Sequence, residues 1–190
     1  MTILALNTCL AACDGAIWKD GRVLSAATED MNRGQDGRLP GFVADLATDA
    51  GTDLAEINRF VVVTGPGSFT GIRIGVAFAR GLALAFRKPI VGLTSLEAGT
   101  TETGDVLVGL PAQKRPPDRT WWVQSLTGGL GIEAVRESSE ADLNLIDLIQ
   151  AKPSAVIAAQ KAAALDPAMH LAKPVYARAP DAALPGARSV

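Results

Sequence analysis

Three glycines and two hydroxyls share the seven residues Gly65-Pro66-Gly67-Ser68-Phe69-Thr70-Gly71, and they are the strongest candidates for chemistry in this sequence. The run Phe60-Val61-Val62-Val63 before them reads as a buried strand, and from Ile72 the pattern turns helical, with Ser68 or Thr70 as N-cap. A strand, a glycine loop and a helix can present backbone amides to an anion. The residues that would contact it are Thr8, Gly65, Gly67, Ser68, Thr70 and Gly71. The loop is not a nucleoside-triphosphate P-loop, because no Lys-Ser or Lys-Thr follows the glycines. It also misses the G-x-G-x-x-G spacing, since Gly71 comes one position late. The second reading is a tight connection that lets strand and helix approach closely. Sequence leaves both open.

Other chemistries find few residues. His170 is the only histidine, so no H-E-x-x-H pair exists, and a Ser/His/Asp triad would have to use that one residue. Cys9 and Cys13 lack a base for the same reason; they read as two buried free thiols rather than a disulfide. No motif calls for a metal or a cofactor.

The elements that must hold the loop follow from periodicity. Ile3–Leu6, Leu10–Trp18 and Val23–Thr28 read as three strands, the last two joined by a hairpin at Lys19-Asp20-Gly21-Arg22. Leu39, Phe42, Val43, Leu46, Ala47 and Ala50 recur at helical spacing, and Gly51 stops that helix. Asp53 or Thr52 caps a short turn, and Ile90–Leu93 forms a further strand. The order β-β-β-α-β-α-β is that of the ribonuclease-H-like fold of the actin, Hsp70 and sugar-kinase ATPases. In that superfamily the first hairpin carries an Asp for metal and phosphate; here Asn7-Thr8-Cys9-Leu10 stands there, without the anionic charge a divalent cation wants. The corresponding second hairpin, Gly109-Leu110-Pro111-Ala112-Gln113, has no Asp either. The chain reads as a pseudo-enzyme.

The helix from Ile72 to Phe86 is apolar nearly all round, broken only by Arg73 and Arg80 on one stripe. Such a helix is buried on two sides, against its own core and against a partner. Its glycines cost about 1 kcal/mol each relative to alanine, and close backbone approach is the usual compensation. The expected partner or dimer interface is Leu39, Phe42, Ile72, Arg73, Val76, Ala77, Arg80 and Leu84.

Charge is nearly balanced, with 18 basic and 20 acidic residues among 190, which argues against a protein that grips nucleic acid through a general basic field. No leader and no apolar run long enough for a bilayer is evident, so the cytoplasm is the expected compartment. In the second half we expect a helix over 96–101, strands at 106–108, 120–126 and 132–135, a helix over 143–149 and a last strand at 155–158 before an alanine-rich helix. Gln113–Arg119 reads as a basic, proline-bearing turn, and 182–190 as a frayed tail.

Asn7-Thr8, Arg33-Gly34, the string Gly65-Pro66-Gly67-Ser68-Phe69-Thr70-Gly71-Ile72-Arg73-Ile74-Gly75, Gly81-Leu82-Ala83, Gly92–Glu97 and Tyr176–Ala182 together resemble the bacterial TsaB (YeaZ) family. The resemblance is dense to about residue 100, thin beyond it, and returns at the tail. It implies a role in making threonylcarbamoyladenosine, at the adenosine 3′ of the anticodon in tRNAs reading codons that begin with A. In that pathway a synthase makes threonylcarbamoyl-adenylate, and the paralogue TsaD, with metal-binding histidines and the same fold, transfers the group. TsaB-like proteins are not the catalyst; they pair with TsaD through N-terminal lobe helices, a small ATPase, TsaE, joins them, and alone they form homodimers through a similar face. The sequence departs from the family at Asn7, usually Asp, at Gln35, usually His, and at Pro111–Arg115, which replace a basic motif.

The resulting expectation is a non-catalytic scaffold for a TsaD-like paralogue and a TsaE-like ATPase, a homodimer when alone, touching tRNA only through the complex. The competing readings are an ATP-dependent phosphotransferase of the same fold and, behind it, a glycoprotease-like metallopeptidase. Two lobes are expected, residues 1–97 with the docking helices and a reduced lobe over 98–180, followed by the tail 181–190.

Overall fold

The computed structural model describes residues 1–112 and 119–177. Lys114, Arg115 and the family-like stretch Arg178–Ala182, with the tail, lie outside the described residues.

Five strands make the first sheet: β1 (Thr2–Asn7), β2 (Ala12–Lys19), β3 (Arg22–Asp30), β4 (Arg59–Val63) and β5 (Ile90–Leu93). Their order is β3-β2-β1-β4-β5, antiparallel across β3, β2 and β1 and parallel from β1 to β5. β1 and most of β4 are buried on both faces, which is why they read as unbroken apolar runs rather than alternating ones. Helix α1 (Gln35–Asp49) seats Phe42 and Leu46 over Gly15 of β2. Helix α2 (Phe69–Ala85) lies beside it, its first turn capped by Ser68 Oγ, which accepts from the Gly71 N–H at 3.2 Å. The turn after α1 is capped by Asp53, whose carboxylate accepts from Ala55 N–H. Cys9 and Cys13 are both buried and unbonded to each other, as expected for free thiols.

The second sheet is smaller: β6 (Val106–Pro111), β7 (Thr120–Thr127), β8 (Leu130–Gly131), β9 (Arg136–Ser139) and β10 (Leu148–Gln150). Its path is β10-β6-β7-β8, with β9 also paired to β7. Leu96, Val108, Leu110, Leu126 and Ala151 cluster as its buried centre.

Four expectations for this half are corrected. Residues 132–135 are not a strand but the bend that joins β8 to β9. The helix over 96–101 is a single 3-10 turn, Glu97–Gly99, because the Glu97 side chain bonds Thr94 N–H and Gly131 N–H instead of facing outward. Residues 143–149 are not helical. Ser139 caps a 3-10 turn, Asn144 Oδ1 accepts from Ile146 N–H, and the chain then enters β10, parallel to β6, with Leu148 covering Gly109. Residues 155–158 are the start of helix α3 (Ala155–Ala162), not a strand. Ser154 Oγ caps it, and Ala155, Ala158, Ala159 and Ala162 form a fully buried i, i+3, i+4, i+7 stripe.

That stripe packs on β1, β2 and β4, so α3 joins the first sheet's core although it follows the second sheet in sequence. It lies across the sheet from α1, since Gly15 faces α1 while its neighbour Asp14 reaches the start of α3. Arg59 ties the other end of α3 down, donating to the carbonyls of Ala162 and, at 2.8 Å, Leu165. The following segment also returns, Gly92 N–H donating to His170 O at 2.9 Å and Val175 N–H to Thr64 O at 2.8 Å. A division at residue 97 therefore does not follow the packing of residues 155–177.

Candidate functional site

The glycine loop is shaped by what lies under it. Thr8 is fully buried at the end of β1, and its hydroxyl donates to Gly71 O at 2.7 Å. A Cβ on Gly71 would lie 2.0 Å from Thr8 O, one on Gly75 2.2 Å from Thr8 Oγ1, and one on Gly67 2.2 Å from Cys9 O. Ser68 N–H donates to Cys9 O at 2.7 Å, and Ser95 Oγ to Pro66 O at 2.7 Å. Gly65 has φ +104° and backs onto Ile72 and Val175 O. Of the six residues read as an anion-contacting loop, Thr8, Gly65, Gly67 and Gly71 thus meet protein atoms, and Ser68 and Thr70 alone are exposed. The tight-connection reading accounts for every one of these glycines.

The carboxylate absent at position 7 is present opposite it. Asn7 and Asp14 are cross-strand partners on β1 and β2, and Asn7 Nδ2 donates to Asp14 Oδ2 at 3.1 Å. The same oxygen accepts from Ala155 N–H at 2.8 Å, and Thr28 Oγ1 donates to Oδ1 at 3.2 Å. Burial pushes the Asp14 carboxyl up, while these three donors pull it back. Asp14 borders an open crevice of about 340 Å3 that also touches Leu10, Asp30, Pro153 and Ser154. Sequence reasoning missed Asp14; the available signal was its place across the first turn from Asn7. Gln35, the second departure from the family pattern, is buried and donates to Leu10 O at 3.1 Å and Ala12 O at 2.8 Å, holding that turn from the other side.

The helix faces divide more sharply than the apolar sequence suggests. Leu39, Phe42, Ile72 and Val76 are 0–3% exposed inside this chain's own core, so their assignment to an interface is corrected: they fill the space between the helices and the sheet. Ile74, Phe78 and Leu82 sit half-buried at the margin. The outward side of α2 is Arg73, Ala77, Arg80, Gly81, Leu84 and Ala85, with Leu84 80% exposed. Among the described residues a Cβ on Gly81 would meet nothing within 4 Å, so no contact there requires that glycine. Beside this side, Ala44, Thr48 and Gly51 at the end of α1 border a shallow groove with Phe86. At the start of α2, Phe69, Arg73 and Tyr176 form an exposed stack.

Among the described residues no group of three or more His, Cys, Asp or Glu is arranged to hold a metal ion, and no helix is long and apolar enough to cross a membrane. Lys161 is half-buried, burial pulls its ammonium down, and it donates to Glu97 O and Gly129 O, both at 2.7 Å. It joins α3 to the second sheet.

The family model described as "TsaD: tRNA N6-adenosine threonylcarbamoyltransferase" matches residues 29–106, which include α1 and α2. The tRNA threonylcarbamoyladenosine biosynthesis protein TsaB of Escherichia coli is 44% identical over 96 residues, 50% of this chain and 41% of that protein. The Bacillus subtilis protein of the same name is 33% identical over 97 residues, 51% of this chain and 42% of its own length. The matched stretch therefore spans well under two thirds of these curated relatives. Over the whole fold, the structure of YeaZ from Pseudomonas aeruginosa superposes with a TM-score of 0.70 at 26% identity, covering 92% of this chain and 99% of that one. The sequence match through α1 and α2 and the structural match across both sheets support the TsaB/YeaZ family for this chain.

Proposed function

We propose that the chain is a non-catalytic subunit of the machinery that installs threonylcarbamoyladenosine in tRNA, and that it docks a TsaD-type paralogue through the outward side of α2. The names of its relatives support the pathway. One observation carries the docking role: α2 turns Ala77, Gly81, Leu84 and Ala85 to solvent, an apolar strip of small residues with an exposed leucine, and Gly81 serves no contact among the described residues. A glycine inside a helix costs about 1 kcal/mol relative to alanine, and a second helix packed close at that point would account for it. Arg73, Ala77, Arg80 and Leu84 are the interface residues that remain from the sequence reading. A homodimer through the same side, recruitment of a TsaE-like ATPase and contact with tRNA through the complex complete the proposal.

The test is co-purification with a TsaD-type paralogue on size-exclusion chromatography. Ala77→Asp and Leu84→Asp should abolish co-elution while leaving the melting temperature of the isolated chain within about 2 °C of the parent. Undiminished pairing by both variants would overturn the assignment. The phosphotransferase reading draws on Asp14, a carboxylate bordering the crevice, but Asn7, Thr28 and the α3 amide already occupy it. Calorimetric titration with Mg-ATP separates the two: tight binding by the isolated chain favours the phosphotransferase.

A further inference from the structure

The first turn of α2 carries an exposed cluster whose geometry is tighter than its position demands. Phe69 and Tyr176 are 39% and 41% exposed, with ring centroids 5.1 Å apart. The Arg73 guanidinium carbon stands 3.7 Å from the Phe69 ring centre, and Arg73 Nε donates to Tyr176 Oη at 3.0 Å. The side chain is thus held on two sides while it remains exposed. No carboxylate among the described residues meets it, and its terminal N–H groups have no partner there. Holding a long side chain in one pose costs rotamer freedom. A guanidinium fork set in advance recognises a planar pair of oxygens, as in a carboxylate, at lower entropic cost than a free one.

We infer that Arg73, aligned by Phe69 and Tyr176, is the charge anchor that receives a carboxylate of the partner protein at the edge of the docking side; this rests on α2 being that side. Charge complementarity points to a protein carboxylate rather than a nucleic-acid phosphate. α2 offers Arg73 and Arg80 and no acidic residue, whereas the neighbouring α1 exposes Asp36, Asp45 and Asp49. The one cation of α1, Arg38, is already engaged by Glu29 and Asp45. A phosphate backbone tracking this side would run over those aspartates, while a single acidic side chain needs only the fork. The two aromatic rings shield such a pair from water, the setting in which arginine and tyrosine act as binding hot spots.

The experiment is the affinity of the full chain for the TsaD-type paralogue, at low and high salt, with each variant's melting temperature checked. Arg73→Ala should weaken binding about 30-fold and flatten its salt dependence. Arg73→Lys keeps the charge but loses the fork, and should weaken binding about 10-fold. Tyr176→Phe keeps the ring and frees Arg73 Nε, for a loss of about 3-fold. If Ala77→Asp abolishes binding while Arg73→Ala and Arg73→Lys stay within about 2-fold of the parent, docking stands and the anchor is wrong. If Ala77→Asp has no effect, the docking side itself is wrong and the anchor falls with it. Loss of tRNA retention on a filter by Arg73→Ala, with partner affinity unchanged, would assign Arg73 to phosphate and overturn the inference.

Discussion

Gly71 and Gly75 on the inner side of α2 and Gly81 on its outer side occupy one helix under opposite conditions. The inner pair lie against Thr8, where a methyl group would fall 2.0 and 2.2 Å from its oxygens. The outer one looks into open space. All three carry a helix-propensity cost, yet among the described residues only the first two have a compensating contact. The inner side is therefore explained by the fold, and the outer side asks for something beyond it.

Alanine at each glycine turns this contrast into measurements of opposite sign. Gly71→Ala forces its new methyl onto a backbone oxygen that cannot swing away, and should destabilise the protein by about 3 kcal/mol or more; denaturant unfolding measures it. A loss near zero would mean that the α2–hairpin contact is loose. Gly81→Ala meets no obstacle and should stabilise the isolated chain by about 0.5–1 kcal/mol, while weakening capture of the partner. If it stabilised the chain and left capture intact, close helix approach at Gly81 would be excluded.

The smallest effect lies across the sheet, at the end of α3. Burial raises the Asp14 carboxyl in the folded chain above its ordinary range, so the folded state holds that proton more tightly than the unfolded one. The sign follows from linkage. Ionising Asp14 costs stability, a cost that is absent in acid, grows as pH climbs from the ordinary carboxylate value to the raised one, and stays constant above. Asp14→Asn does not ionise and still offers an oxygen to Ala155 N–H. Its melting temperature relative to the parent should therefore be more favourable at neutral pH than in acid. A constant difference across that range would show that the three hydrogen bonds fully offset the burial.

Legibility followed the reach of the interactions. β1, the hairpin at Asp20-Gly21, α1 and the Ser68-capped α2 were readable because caps, turns and apolar spacing act within a few residues. The second half misled where local pattern and packing disagreed. Leu143, Ile146, Leu148 and Ile149 carry a helical spacing, yet the edge of β6 takes Leu148–Gln150 as a strand. Ala155-Val156-Ile157-Ala158 looks like a strand, yet the alanine stripe needs helical geometry to lie flat on β1 and β2. The stripe was in the sequence; the surface that selected it was not. The same holds at the candidate site, where the glycine string was visible but its reason, the backbone of Thr8 and Cys9, was not.

By itself the amino-acid sequence determined the strand and helix order of the first sheet and the glycine-led entry into α2. Each rests on neighbours along the chain, so periodicity and residue type suffice to encode it. Only the tertiary structure decided which side of α2 faces out, that Leu39, Phe42, Ile72 and Val76 belong to the core, that Asp14 meets the start of α3, and that Tyr176 closes on Arg73 from 103 residues away. Those outcomes come from surfaces that exist only once the sheet has formed, and packing rather than local preference chooses among them.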